Sequence, residues 1–96
     1  MNNKYQIAVA SLNQTPIDWN NNINNIKEVL TEAKSKGIKL LCLPELCITG
    51  YGCEDLFLGD WIYKKALKIL FDLLPETKGI SVSIGVPIQF EGKNYN

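Results

Sequence analysis

The sequence predicts an α/β fold in which three parallel strands alternate with two helices. Short apolar segments alternate with longer amphipathic ones, in the order strand, helix, strand, helix, strand. Residues 38–43, IKLLCL, are nearly continuously apolar, as is typical of a strand buried on both faces of a parallel sheet. Such an order favours consecutive strands that lie side by side and run parallel.

The first strand and the first helix are predicted within residues 5–37. The segment YQIAVASL (5–12) is short, apolar and rich in small residues, and Pro16 in the next loop prevents an earlier helix start. Asp18 is a suitable N-cap, and Gly37 follows the last cationic turn as a C-terminal glycine. Between them, one apolar stripe at helical spacing is formed by Ile23, Ile26, Leu30 and Ala33.

The remaining elements follow the same alternation. Residues 38–43 predict the second strand, and Asp60 is expected to cap a second helix that stops at Pro75. The buried stripe of that helix is predicted to consist of Ile62, Ala66, Ile69, Leu70 and Leu73. Residues 80–86 alternate apolar and small polar side chains and predict the third strand, after which EGKN (91–94) predicts a turn.

Composition excludes several classes of function. The 96 residues form at most one small domain, and ten basic and ten acidic residues give no charge that would attract nucleic acid or an anionic membrane. No apolar run approaches the roughly 20 residues that span a bilayer, and the first residues do not resemble a signal peptide. Three cysteines are an odd number, which argues against a secreted disulfide scaffold and favours the cytoplasm.

Glu45 is the candidate functional residue, because it follows an apolar strand and is preceded by Pro44. In open α/β sheets, ligands bind beyond the carboxyl ends of the strands, and Glu45 lies at such an end. A glutamate at a strand end, taken alone, is more often a solvated loop residue or a helix-capping partner. Periodicity and spacing alone therefore indicate a small α/β domain without defining its function.

The segment LPELCITGYGCEDL (43–56) resembles the first catalytic motif of the nitrilase superfamily, the carbon–nitrogen hydrolases. The resemblance covers all 96 residues, since KYQIAVASLNQT is similar to the family's first strand and SIGVPIQFEGKNYN to its third. The intervening NINNIKEVLTEAKSKGIKLLCLPE is similar to the first helix and second strand. Within the superfamily, the Gly-Tyr-Gly-Cys form followed by Glu-Asp is closest to the glutaminase domains of glutamine-dependent NAD⁺ synthetases.

The resemblance implies a fold, a reaction and two site residues. The chain would be the βαβαβ start of an α-β-β-α sandwich, incomplete after its third strand. The family hydrolyses amides with a Glu, Lys and Cys set, in which Glu45 matches the catalytic general base and Tyr51 matches an aromatic residue near the substrate pocket. Glutamine would be the substrate, and its ammonia would serve ATP-dependent NAD⁺ synthesis from nicotinic acid adenine dinucleotide. No cofactor is expected in this domain, ATP and Mg belong to a separate synthetase domain, and a homo-oligomer through sheet or helix packing is implied.

The match to the family's catalytic set is incomplete in this chain. The family's lysine and cysteine lie beyond the third strand, so residues 1–96 are expected to be the truncated N-terminal part of the domain and inactive alone. Three strands alone also leave an open sheet edge and an uncovered apolar face. Two alternatives stay open: a general aliphatic or ω-amidase of the same superfamily, and a non-catalytic α/β assembly module.

The three cysteines are not expected to replace the missing nucleophile. Cys42 lies within the predicted second strand and is interpreted as core, while Cys47 and Cys53 flank the turn. No metal site is predicted, because the sequence has no histidine and no Cys-x-x-Cys spacing. Lys64, Lys65 and Lys68 are expected on a solvated helix face.

Overall fold

The computed structural model describes residues 6–50 and 59–95, and it confirms the predicted α/β class. Three parallel strands form one sheet in the order β1-β2-β3, and two helices connect them. The elements are β1 (Ile7–Val9), α1 (Trp19–Ser35), β2 (Leu40–Cys42), α2 (Asp60–Leu73), β3 (Ser81–Ser83), β4 (Ile88–Phe90) and β5 (Lys93–Tyr95). Neither helix, nor any other helix in the described ranges, is long and apolar enough to cross a membrane.

Helix α1 buries the predicted stripe except for Ile23, which is only half-buried, and it ends just before the predicted C-terminal glycine. Ile26, Leu30 and Ala33 are buried. At the C-terminus, Ile38 N donates to Ala33 O at 3.0 Å, while Gly37 has a φ of 73°. This pairing, with glycine in the left-handed region, is the Schellman arrangement that satisfies the last carbonyls of a helix.

The N-cap predicted for α1 is confirmed in position only, and the N-cap predicted for α2 is wrong. Asp18 occupies the N-cap position of α1, but its side chain makes no capping hydrogen bond, and its backbone carbonyl accepts from Asn22 N at 2.9 Å. The N-cap of α2 is Gly59, which is extended, so Asp60 is the first helical residue instead of the cap. A carboxylate in the first turn still interacts favourably with the helix dipole.

Helix α2 buries its predicted apolar stripe, except that Leu70 is only half-buried. Four of the predicted residues face the core, namely Ile62, Ala66, Ile69 and Leu73. The α-helix ends at Leu73 and continues as a short 3₁₀ helix, Leu74–Thr77, with Pro75 in its first turn. Pro75 therefore stops the α-helix as predicted, because proline has no N–H to donate.

The helices cover only one face of the sheet. Side chains of Ala8, Leu41 and Val82, one from each parallel strand, belong to the core that both helices contribute to. On the opposite face, Val9 is 82% exposed and Leu40 is 36% exposed. The prediction that residues 38–43 are buried on both faces is therefore wrong for Leu40, because no described element covers that side.

A hairpin follows the parallel sheet; its turn was predicted within EGKN (91–94), but its two strands were not. Strands β4 and β5 pair antiparallel, and the turn between them consists of Glu91 and Gly92 with φ values of 49° and 76°. Positive φ at both central residues is the signature of the type I′ turn that joins two-residue hairpins. The sequence feature that could have predicted this hairpin is the pair Glu91-Gly92 between the short runs IQF and KNY.

Candidate active site at the carboxyl edge of the sheet

Glu45 lies beyond the carboxyl end of β2, the central strand of the parallel sheet. It follows the end of β2 by three residues, and the backbone between them stays attached to the sheet, since Leu43 N donates to Ser83 O at 2.9 Å. Glu45 is exposed. This position, at the edge where ligands bind in α/β sheets, leaves the carboxylate accessible to groups that approach from outside.

The turn that begins at Glu45 has an uncommon backbone conformation. Leu46 has a φ of 50°, in the left-handed region that a leucine rarely adopts. The turn is closed by a 2.7 Å hydrogen bond from Gly50 N to Leu46 O. Such conformations persist where the surroundings fix them, and they are concentrated at functional sites.

On one side, the loop after β3 presses against the backbone of Glu45. A Cβ atom added at Gly85 would lie 2.7 Å from Glu45 Cα, 2.6 Å from Leu46 N and 2.7 Å from Pro44 O. These atoms belong to the backbone and cannot rotate away. Glycine at position 85 is therefore required for the two loops to meet.

On the other side, the turn is bonded to α1 and the loop before it. Asn22 Nδ2 donates to Ile48 O at 3.1 Å, and Gln14 Nε2 donates to Cys47 O at 2.6 Å. The sequence reasoning missed both residues, because the asparagines of α1 were interpreted only as poor helix formers. The available signal was the spacing of Asn22, which lies four residues before Ile26 and so falls on the buried stripe of the helix.

The described cysteines are unsuited to the role of nucleophile. Cys47 is buried, and its thiol donates to Gly85 O at 3.7 Å. Burial raises the pKa of the Cys47 thiol to about 11, so it stays protonated near neutral pH, where only a thiolate is nucleophilic. Cys42 is half-buried on β2, so its interpretation as a core residue holds only in part.

Other predicted residues are placed as follows. Tyr51 and Cys53 lie outside the described residues, so the role predicted for Tyr51 stays a prediction. Lys64, Lys65 and Lys68 are exposed, as expected, and Lys68 Nζ lies 3.0 Å from Asp72 Oδ2. Among residues 6–50 and 59–95, no cluster of three or more His, Cys, Asp and Glu side chains could hold a metal ion.

The parallel sheet, with Glu45 held beyond its central strand, defines an α/β protein whose candidate site lies at the carboxyl edge of the sheet. A family model described as carbon-nitrogen hydrolase matches residues 6–96. The chain belongs to the carbon–nitrogen hydrolase family, which confirms the resemblance seen in its motif.

Two similar proteins are glutamine-dependent NAD(+) synthetases. The glutamine-dependent NAD(+) synthetase of Oryza sativa subsp. indica is 41% identical over 93 residues, which are 95% of this chain and 13% of that protein. The crystal structure of a glutamine-dependent NAD(+) synthetase from Cytophaga hutchinsonii is 50% identical, with a TM-score of 0.93 over 96% of this chain. The chain spans only 13% and 16% of the lengths of these two proteins.

Proposed function

We propose that this chain is the N-terminal part of a glutaminase domain that releases ammonia from glutamine for ATP-dependent NAD⁺ synthesis. The observation that carries the proposal is the 50% identity, at a TM-score of 0.93, to a solved glutamine-dependent NAD(+) synthetase. In the proposed reaction sequence, the ammonia attacks ATP-activated nicotinic acid adenine dinucleotide in a separate synthetase domain.

Glu45 is the general base in this proposal. As the sulfur of the family's cysteine attacks the amide carbon of glutamine, the carboxylate of Glu45 takes the thiol proton. The same proton is then available to the nitrogen that leaves as ammonia. The family's lysine and backbone donors stabilise the negative charge on the carbonyl oxygen. Two features support the assignment: Glu45 is accessible, and its backbone is held from both sides.

Tyr51 is assigned to substrate binding in the same proposal. It directly follows Gly50, whose amide closes the turn that starts at Glu45. General base and binding residue are thus carried by one short segment.

The test is ammonia release from glutamine by the natural polypeptide that carries these residues. Glu45→Gln keeps the size of the side chain but removes the base, and we expect kcat to fall by about 10²–10⁴-fold. Glu28→Gln is the matched control, because Glu28 is exposed on α1. Its kcat should equal that of the unchanged protein.

Each other outcome has a defined meaning. Unchanged ammonia release in Glu45→Gln would contradict the general-base assignment. Faster hydrolysis of simple aliphatic amides than of glutamine would favour a general aliphatic or ω-amidase. The isolated 96-residue chain should release no ammonia, and steady release that disappears in Glu45→Gln would show that it needs no further catalytic residues.

A further inference from the structure

We propose that Asn22 is a positioning residue for Glu45 and acts through an amide cluster formed by Gln14, Asn22 and Asn25. The inference depends on the proposed function, since it assigns a role at the site that contains Glu45. The cluster lies between α1 and the turn that starts at Glu45. Its contacts with the backbone of that turn carry the argument.

Asn22 is the centre of the cluster. It is fully buried, its Oδ1 accepts from Thr15 N at 3.0 Å, and its Nδ2 donates to Thr15 O at 2.8 Å and to Ile48 O at 3.1 Å. Burial of an amide is unfavourable unless such bonds are made, so packing alone gives no reason for an asparagine on an apolar stripe. Its three bonds join α1, the loop before α1 and the Glu45 turn.

Gln14 and Asn25 complete the connection. Gln14 Nε2 donates to two carbonyls, Asn22 O at 3.0 Å and Cys47 O at 2.6 Å. Asn25 Nδ2 donates to Gln14 Oε1 at 2.8 Å and so fixes which way the Gln14 amide faces. Gln14 thus links Asn25 to the backbone of Asn22. A polar network whose groups are hydrogen-bonded makes the geometry of its surroundings more rigid.

Three consecutive backbone carbonyls of the turn accept hydrogen bonds from α1 and the loop before it. Cys47 O and Ile48 O accept from the amide cluster, and Thr49 O accepts from Ile17 N at 2.8 Å. The first half of the turn is held from the opposite side by Gly85, which abuts Glu45 Cα. The backbone that bears the Glu45 side chain is therefore restrained on one side by the amide cluster and on the other by the loop that contains Gly85.

A positioning role has a consequence that a purely structural role lacks. Misplacement of a catalytic group by about 1 Å can reduce a rate about 100-fold. A displaced Glu45 should lower kcat while KM for glutamine changes little. Since Asn22 would act through Glu45, its substitution should matter only when the Glu45 carboxylate is present.

The experiment is a double-mutant cycle on glutamine hydrolysis by the natural polypeptide. Asn22→Asp preserves volume and the Oδ1 acceptor but removes both Nδ2 donors. We expect it to lower kcat by about 10–100-fold with KM nearly unchanged, and to cause no further loss in the Glu45→Gln background. Asn24→Asp makes the same change on the exposed side of α1 and should leave kcat unaltered.

The other outcomes are decisive as well. If Asn22→Asp lowers kcat by the same factor with and without the Glu45 carboxylate, Asn22 has only a structural role. Unchanged kcat in Asn22→Asp, when Glu45→Gln is inactive, overturns the positioning role and leaves the proposed function intact. Full activity of Glu45→Gln overturns the general-base assignment and with it the positioning role, whereas no ammonia release from glutamine by the unchanged polypeptide overturns the proposed function itself. If Asn22→Asp does not fold, Gln14→Glu takes its place, because it removes the two Nε2 donors at the half-buried end of the cluster. The same double-mutant cycle with Glu45→Gln then tests the positioning role.

Discussion

Cys47 lies two residues from Glu45, yet burial makes it a poor nucleophile. Desolvation by burial raises the pKa of the Cys47 thiol and outweighs the smaller, opposite effect of backbone hydrogen bonding at Gly85. The side chain therefore packs as a small hydrophobe under the turn. Proximity to a carboxylate is thus insufficient to activate a thiol that water cannot reach.

The raised pKa of Cys47 predicts the pH dependence of its alkylation. Raising the pKa from 9.0 to about 11 lowers the thiolate fraction at pH 8, and two pKa units correspond to about a 100-fold decrease. Alkylation by iodoacetamide, followed by mass spectrometry, should be slower in the folded protein by at least that factor than in urea. In the folded protein the rate should rise until about pH 11. A plateau near pH 9 would contradict the burial argument.

Sequence reasoning selected Glu45 as the candidate site residue but missed the residues that hold its backbone. A proline-acid pair after an apolar strand is visible in the sequence, because all of its parts are neighbours. Gly85 and Asn22 act through contacts with a segment 26 or more residues away. Nothing local to either residue reveals such a contact, apart from the position of Asn22 on the buried stripe.

At the scale of elements, α1 is stabilised by packing more than by its own sequence. Its first two turns contain five asparagines, which are poor helix formers, and its N-cap side chain makes no capping bond. Isolated helices of this kind are marginal in water. The buried stripe must therefore supply the stability that the capping and helix propensity do not.

Ile26→Ala tests this account of α1. Ile26 is fully buried, so the truncation should lower the free energy of unfolding by about 2–5 kcal/mol. Ile23→Ala is the matched control, since Ile23 is only half-buried on the same helix and should lose less. Urea unfolding followed by circular dichroism measures both. Equal losses at the two positions would show that the stripe does not dominate the stability of α1.

The order of the elements was predictable, whereas their exact extents were not. The 3.6-residue stripes defined both helices because each has one buried face. Strand β1 is three residues long instead of the predicted eight, counted within the described part of the chain. Strand ends depend on which neighbouring backbone is available for pairing, and apolar character alone does not encode that. The hairpin was missed because the prediction stopped at its turn.

At the scale of the whole molecule, the sheet has two unlike faces. The strand order β1-β2-β3 places both connecting helices on the same side. The opposite side exposes Ile7 by 64% and Val9 by 82%. In an α-β-β-α sandwich, the arrangement this fold begins, a second sheet packs on that face. The sequence predicted an uncovered apolar face because three strands and two helices cannot form four layers.

The uncovered face predicts how the isolated 96-residue chain behaves in solution. Exposed apolar side chains on a sheet with an open edge favour association, so sedimentation velocity should show a mass that rises with concentration. Val9→Lys places a charge on the most exposed apolar residue of that face, on the edge strand β1, and should shift the chain toward monomer. Asn24→Lys adds the same charge to the exposed side of α1 and should leave association unchanged. A monomer at all concentrations, or equal suppression by both variants, would show that this face does not drive association.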